Sequence, residues 1–263
     1  MIPFFELPTF HAGPLTIAPF GIFVGLGVYL ASVILVAEAK RDGRSTRVLA
    51  DYAFWGFVGG LVGGHLMHVL LYHPEELQKS AFQIFKIWDG LSSTGGLLGG
   101  VVTAMIFFRV RHASFWDYGD AFGLAVPTGW AIARVGCFVS HDHPGKLTSF
   151  PLAVNFAAGA RHDLGLYDAL WLTGIALLVW FLARRKLLVG RHLALAGMLY
   201  AVGRIFFDTL RATDLPYVDA RYFGLTPAQY FCIALFLFGA YRFWKPVPRN
   251  APVKLPATKP LTP

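Results

Sequence analysis

The stretch RVGCFVSHDHPGK, residues 134–146, sets an arginine in a glycine-spaced apolar run and follows it with an acid flanked by two histidines. Farther along, Tyr200, Arg204, Asp208 and Arg211 recur at i, i+4, i+8 and i+11, one stripe of a helix. Two guanidiniums on one stripe can grip a phosphate while Asp208 fixes their rotamers; alternatively, an Arg–Asp pair only locks helices together. His65 and His68, at i and i+3, also share a helix face. With His141, Asp142, His143 and His162 they could bind zinc or iron, since imidazole and carboxylate suit both. The favoured reading is that they are hydrogen-bonding or acid–base histidines lining a polar cavity. No cofactor is expected on that reading. A divalent metal held by His65, His68, His141 and His143 is the alternative.

Such groups need a scaffold, and composition says which kind. Of the 263 residues, 56% are hydrophobic and only 14% charged, with mean hydropathy +0.54. Soluble domains carry about 25% charged residues. Apolar runs of the ~20 residues that cross a bilayer core recur along the chain, which predicts an all-α polytopic membrane protein. The runs fall at 17–37, 49–72, 94–110, 117–138, 166–183, 193–210 and 226–244. Fifteen of the twenty-three Lys and Arg residues follow the odd-numbered spans. The positive-inside rule therefore puts the N-terminus outside and the C-terminus in the cytosol. The net charge of +8 reads as this topology signal, and no nucleic-acid partner is expected. MIPFFELPTFHAGP lacks a basic n-region, so no removable signal peptide is expected. Cys137 and Cys232 form no disulfide framework and read as small buried residues.

This organisation gives one transmembrane domain, 1–245, with outer-face loops 73–93 and 139–165, and a flexible cytosolic tail, 246–263. HPEELQKSAFQIFKI, residues 73–87, reads as an interfacial helix with Phe82, Ile84 and Phe85 toward lipid. His73, His112 and His192 read as interfacial or loop residues. The second, fourth and sixth spans run outward, and the third begins outside. His65, His68, Arg134, Arg204 and Asp208 thus converge at the outer leaflet. Ionisable groups at that depth are costly unless paired or facing a cavity, so the default reading is functional. GGLVGGH and TGGLLGG let helices approach closely. Gly95 and Gly96 could also present backbone N–H groups to an anion.

The chain resembles the prolipoprotein diacylglyceryl transferases, bacterial inner-membrane enzymes of seven spans. FKIWDGLSSTGGLLGG resembles the family's aromatic–Trp–Asp–Gly, Ser, Gly–Gly segment. ARVGCFVSHDHPGK resembles its Gly–Arg–x–Gly–Asn–Phe–x–Asn–Gly–Glu–x–x–Gly–Arg signature. RHDLGLYDAL resembles an Arg–His–Pro–x–x–x–Tyr–Glu stretch. LYAVGRIFFDTLRATD and ARYFGLTPAQY resemble the closing Tyr–x–x–x–Arg and Arg–Tyr–x–Gly–Leu–Thr–x–x–Gln segments.

The resemblance implies transfer of the diacylglyceryl group of phosphatidylglycerol, an anionic phospholipid, to the lipobox cysteine of a preprolipoprotein. Glycerol 1-phosphate leaves and a thioether forms. By position, Arg134 and Arg204 would hold the phosphate and stabilise the leaving charge. Asp142, Gly145 and Lys146 match the end of the signature, Asp208 and Arg211 an acid and arginine of the last stripe, and His162 the later histidine. The chain departs from the pattern where it matters most. The essential histidine before Gly–Gly is Thr94, which is no comparable base at neutral pH. The signature's asparagines are Cys137 and Ser140. His65 replaces an arginine, His68 a tyrosine, and Ala18 an early histidine.

The expected catalytic set is therefore Arg134, Arg204, His65, His68, Asp142 and His143. The expected lipid-binding set is Arg211, Asp208, Tyr200, Gly95, Gly96, Ser93, Thr94 and His162. The expected reaction is diacylglyceryl transfer to a thiol or another acceptor, at a site facing the outer leaflet of a bacterial inner membrane. A metal-dependent phospholipid hydrolase or transferase, or a non-catalytic lipid-binding relative, are the alternatives.

Overall fold

The computed structural model describes residues 1–248 except 13–14, 76–79, 87–89, 216–217 and 247. Seven long helices dominate: α1 Pro19–Arg41, α2 Thr46–Met67, α3 Ser93–Val110, α4 Gly119–Ser140, α5 Leu164–Arg184, α6 His192–Thr209 and α7 Pro227–Trp244. Each lies close to one of the apolar runs expected from sequence. Five of them, α1 to α5, are long and apolar enough to cross a membrane. In α6 the apolar character is diluted by His192, Arg204 and Asp208.

Local chemistry starts these helices where they start. Ser92 accepts from Gly95 N at 3.2 Å to cap α3, and Asp163 accepts from Leu166 N at 2.9 Å to cap α5. Thr226 and Gln229 form a capping box at α7, with Pro227 in the first turn. The central element is α4, which packs on α1, α5 and α6. α2 and α3 pair through glycines. A Cβ on Gly63 would stand 2.6 Å from Gly99 Cα and 2.7 Å from Gly95 O, so only glycine admits this approach.

The all-α expectation misses a small sheet. Loop 139–165 folds into strands β4 Pro144–Leu147, β5 Val154–Phe156 and β6 Gly159–Asp163, and β1 Ile2–Pro3 joins them in the order β1-β5-β6-β4. β1 runs parallel to β5, pairing Ile2 with Val154; the other pairs are antiparallel. Strands this short, broken by Pro and Gly, carry too few alternations to announce themselves. Strands β2 Phe10–Ala12 and β3 Leu15–Ile17 form a separate antiparallel pair.

Of the expected interfacial helix 73–87, residues 76–79 and 87 lie outside the described residues. Ala81–Phe85 is a 3-10 turn. Phe82 and Phe85 are exposed, but Ile84 is half-buried and Gln83 points inward. The expected tail lies almost wholly outside the described residues.

Candidate functional site

At the end of the bundle where α4 gives way to the sheet, buried charges form one ladder. Arg134 on α4 donates to Ser93 Oγ at 2.8 Å and lies 3.3 Å from Asp168 Oδ2 on α5. Arg204 on α6 donates to the same Asp168 oxygen at 3.0 Å and reaches Asp208 Oδ1 at 3.3 Å. Arg211 donates through Nε to Asp208 at 2.7 Å and pairs with Asp219. The Thr226 hydroxyl, which caps α7, also donates to Asp208. Ladder residues from α4, α5 and α6, the first residue of α3 and the cap of α7 are thereby locked to one another. Arg134, Asp168, Arg204 and Asp208 are each 1% exposed or less, so each charge is retained at a large desolvation cost that its partners offset.

The ladder opens on a cavity of about 300 Å³. Arg204 and Arg211 line it, and Ser92, Ser93 and Thr94 come from the start of α3. His68, Tyr72 and His73 come from the end of α2, and Asp142 and His143 from the α4–β4 turn. A π-turn, His68–Tyr72, follows α2 and is closed by His73 N to His68 O at 2.9 Å. Such wide turns recur at functional sites because they re-aim side chains. The rings of His68 and His73 are 4.6 Å apart, and Tyr72 and Thr94 both line the cavity. His143 Nε2 lies 3.8 Å from Asp142 Oδ1. Although its side chain is 39% exposed, the Asp142 carboxyl is pushed up to about 6 by burial, against the pull of Arg134. Burial, then the charges of Arg211, Arg134 and Arg204, hold His143 well below the ordinary histidine range.

Several expected site residues serve other ends. His65 is buried, with Nδ1 3.1 Å from Gly90 O and Nε2 3.0 Å from Gln83 O; it ties Gln83 and Gly90 to α2 and does not line the cavity. His141 turns away in a left-handed conformation (φ 48°). It pairs with Asp163 at 2.9 Å and packs among Phe4, Phe5, Phe138 and Phe156. His162 bonds Tyr167 Oη at 2.9 Å and packs on Phe150, apart from the cavity lining. Tyr200 is buried against Trp130, deeper in the bundle. Gly95 N is taken by Ser92 Oγ and Gly96 N by Ser92 O, so these amides serve the cap and not an anion. Arg134 braces the wall from behind and does not line the cavity itself. His73, expected as a loop residue, does line it.

No three of His65, His68, His141 and His143 bring ligand atoms together. Among the described residues, the one group of three with ligand atoms within 4.8 Å is Cys137, Asp142 and His143. Sequence reasoning passed over Asp168, although it is the hinge of the ladder. Its signal was present: a lone acid in the apolar run of α5, directly after Tyr167, where the resembling segment has Tyr–Glu. Tyr72 and Asp219 were also missed, and each is legible only once its neighbours are placed.

Comparison with known proteins identifies the family. The family model described as prolipoprotein diacylglyceryl transferase matches residues 8–245. A phosphatidylglycerol–prolipoprotein diacylglyceryl transferase from Legionella pneumophila (strain Paris) is 30% identical over 244 residues, covering 89% of this chain and 94% of its own. The protein of that name from Shewanella oneidensis is 33% identical over 240 residues, 86% of this chain and 87% of its own. With a match spanning nearly every element that builds the ladder and its cavity, this chain belongs to the prolipoprotein diacylglyceryl transferase family.

Proposed function

We propose that this chain moves the diacylglyceryl group of phosphatidylglycerol onto the cysteine thiol of a prolipoprotein. The observation that carries the reading is the pair Arg204 and Arg211, both fixed by Asp208, lining a cavity that His68 also lines. The relatives' names supply the donor and acceptor. All seven helices span a bacterial inner membrane, N-terminus outside and C-terminus in the cytosol, with the cavity toward the outer leaflet. Lipid then enters laterally, and its headgroup phosphate meets the two guanidiniums.

In the reaction, the acceptor sulfur bonds to the glycerol carbon of the diacylglyceryl group while that carbon's bond to phosphate oxygen breaks. The thiol proton passes to His68, which stands in for the histidine missing at Thr94. The bond's electron pair leaves with glycerol phosphate, now a dianion. Arg204 and Arg211 are set before the reaction to face that growing charge, where fixed donors count most. Asp168 and Asp208 keep them from rotating to follow solvent. Thr94 shapes the wall without exchanging a proton.

The test is a mass-spectrometric transfer assay with purified protein, phosphatidylglycerol and a lipobox peptide. The expected result is a peptide heavier by one diacylglyceryl group, with one glycerol phosphate released per peptide. Lipid consumed without a peptide product overturns the acceptor assignment in favour of hydrolysis.

A further inference from the structure

We propose that Cys137, Asp142 and His143 form a binding site for a divalent metal of the zinc class, with its open position facing the lipid phosphate. The inference rests on the transferase reading for the identity of that phosphate, but the metal site itself stands on geometry. The three ligand atoms lie within 4.8 Å of one another, and His143 Nε2 and Asp142 Oδ1 are 3.8 Å apart. Tetrahedral bonds of about 2.0–2.3 Å put ligand atoms roughly 3.3–3.8 Å apart, so a small inward shift closes the set. One thiolate, one imidazole and one carboxylate match the donor preferences of zinc. Three protein ligands with a fourth position open is the pattern of catalytic rather than structural zinc. The fourth position falls on the cavity side, because Asp142 and His143 line the cavity while Cys137 backs them.

Two further features point the same way. Arg134 Nη1 contacts Cys137 Sγ at 3.6 Å, the kind of outer donor that orients a metal-bound thiolate. The charge count of the site also leaves room for a cation. Arg134, Arg204 and Arg211 are matched by Asp168, Asp208 and Asp219 in direct ion pairs, and Asp142 is a fourth carboxylate. The arginines orient a phosphate but bring little net positive charge to it. A divalent ion on Cys137, Asp142 and His143 supplies that charge, as bound cations do at phosphate sites. Binding takes Cys137 as thiolate, and its proton leaves to solvent.

The test uses the purified full chain in detergent, stripped with a chelator and titrated with Co²⁺ as a visible substitute for zinc. The expected result is one Co²⁺ per chain with a thiolate-to-cobalt charge-transfer band in the near ultraviolet. Cys137→Ala abolishes the band and Cys232→Ala keeps it. His143→Gln weakens Co²⁺ at least about tenfold, since even outer partners of a metal ligand are worth 10–100-fold. Absence of stoichiometric binding, or a band indifferent to Cys137→Ala, overturns the site. If Cys137→Ala does not fold, His143→Gln and Asp142→Asn decide by the same titration, and unchanged affinity in both overturns it. Transfer measured on the same preparations keeps the two readings apart. Full transfer by metal-free protein that shows no cobalt band overturns the metal site alone.

Discussion

The two ends of the helix bundle both bury charge, and among the described residues the charge at one end borders a large cavity while the charge at the other borders almost no open space. At the Asp120 end, Arg44 and Asp117 pair at 3.2 Å with about a tenth of each side chain exposed. Asp120 there accepts from Gly190 N at 2.7 Å and His192 N at 3.1 Å, stitching α4 to the start of α6. The space beside them is about 10 Å³, room for a single water. At the Asp142 end the ladder is as well paired, yet it borders about 300 Å³ of open volume. Buried ion pairs alone therefore do not mark the site: both ends have them. Pairs whose outer faces stay open to a ligand do.

The largest effect should come from cutting the ladder at its hinge. Asp168→Asn leaves Arg134 and Arg204 without their shared carboxylate, and removing one partner of a buried pair costs about 3–5 kcal/mol. Lipid transfer should vanish and the unfolding temperature fall. Asp120→Asn keeps an acceptor oxygen for only one of the Gly190 and His192 amides, which bond different oxygens of the carboxylate, and should lose about 1–3 kcal/mol, with transfer per folded molecule unchanged. Thermal unfolding and initial rates on both variants check the comparison; a transfer-competent Asp168→Asn would break it.

Next in size is the proton acceptor. His68→Gln should lower kcat/KM about 10²–10⁴-fold, the usual worth of a positioned acid or base, with little change in unfolding temperature. A comparable rate loss accompanied by a collapse of stability would instead make His68 a structural residue like His65. Third is the seam that sets α2 against α3. Gly63→Ala forces the helices apart at Gly99 and Gly95, an overpacking worth about 1–3 kcal/mol. Because those helices carry His68 and Thr94 to the cavity, kcat should fall along with stability.

The helices were legible because each is an apolar run bounded by basic or capping residues: the expected 193–210 is His192–Thr209. Periodicity also put Tyr200, Arg204, Asp208 and Arg211 on one stripe of a helix. Arg204 and Asp208 meet on α6 as expected, but the helix ends at Thr209 and Arg211 reaches Asp208 from beyond it, bridged to Gly145. Periodicity could not assign the histidines. Sharing a helix face with His68 does not tell whether His65 points to a cavity or to the carbonyls of Gln83 and Gly90. His141 and His143 differ by two residues, yet the left-handed turn at His141 sends one into an aromatic box and the other to the cavity. That turn depends on Asp163 and on strands too short to read. Asp168 stayed hidden because its partners lie 34 and 36 residues away on other helices, and spacing along one helix says nothing of them.

The smallest effect sharpens the comparison at the cavity's rim. Tyr222, on the turn before α7, donates to Leu71 O at 3.0 Å and ties that turn to the π-turn that carries His68. Its side chain is exposed, so the bond competes with water, and Tyr222→Phe should cost at most about 0.5–1 kcal/mol of stability. The cavity, however, needs the π-turn held in place more than the fold does. Transfer should therefore fall by a few-fold through KM while the unfolding temperature barely moves. The equivalent loss at the Asp120 end, where no ligand is positioned, should leave KM untouched. If Tyr222→Phe changes neither constant, the π-turn is held from within by its own backbone bond from His73 N to His68 O, and the rim plays no part in binding.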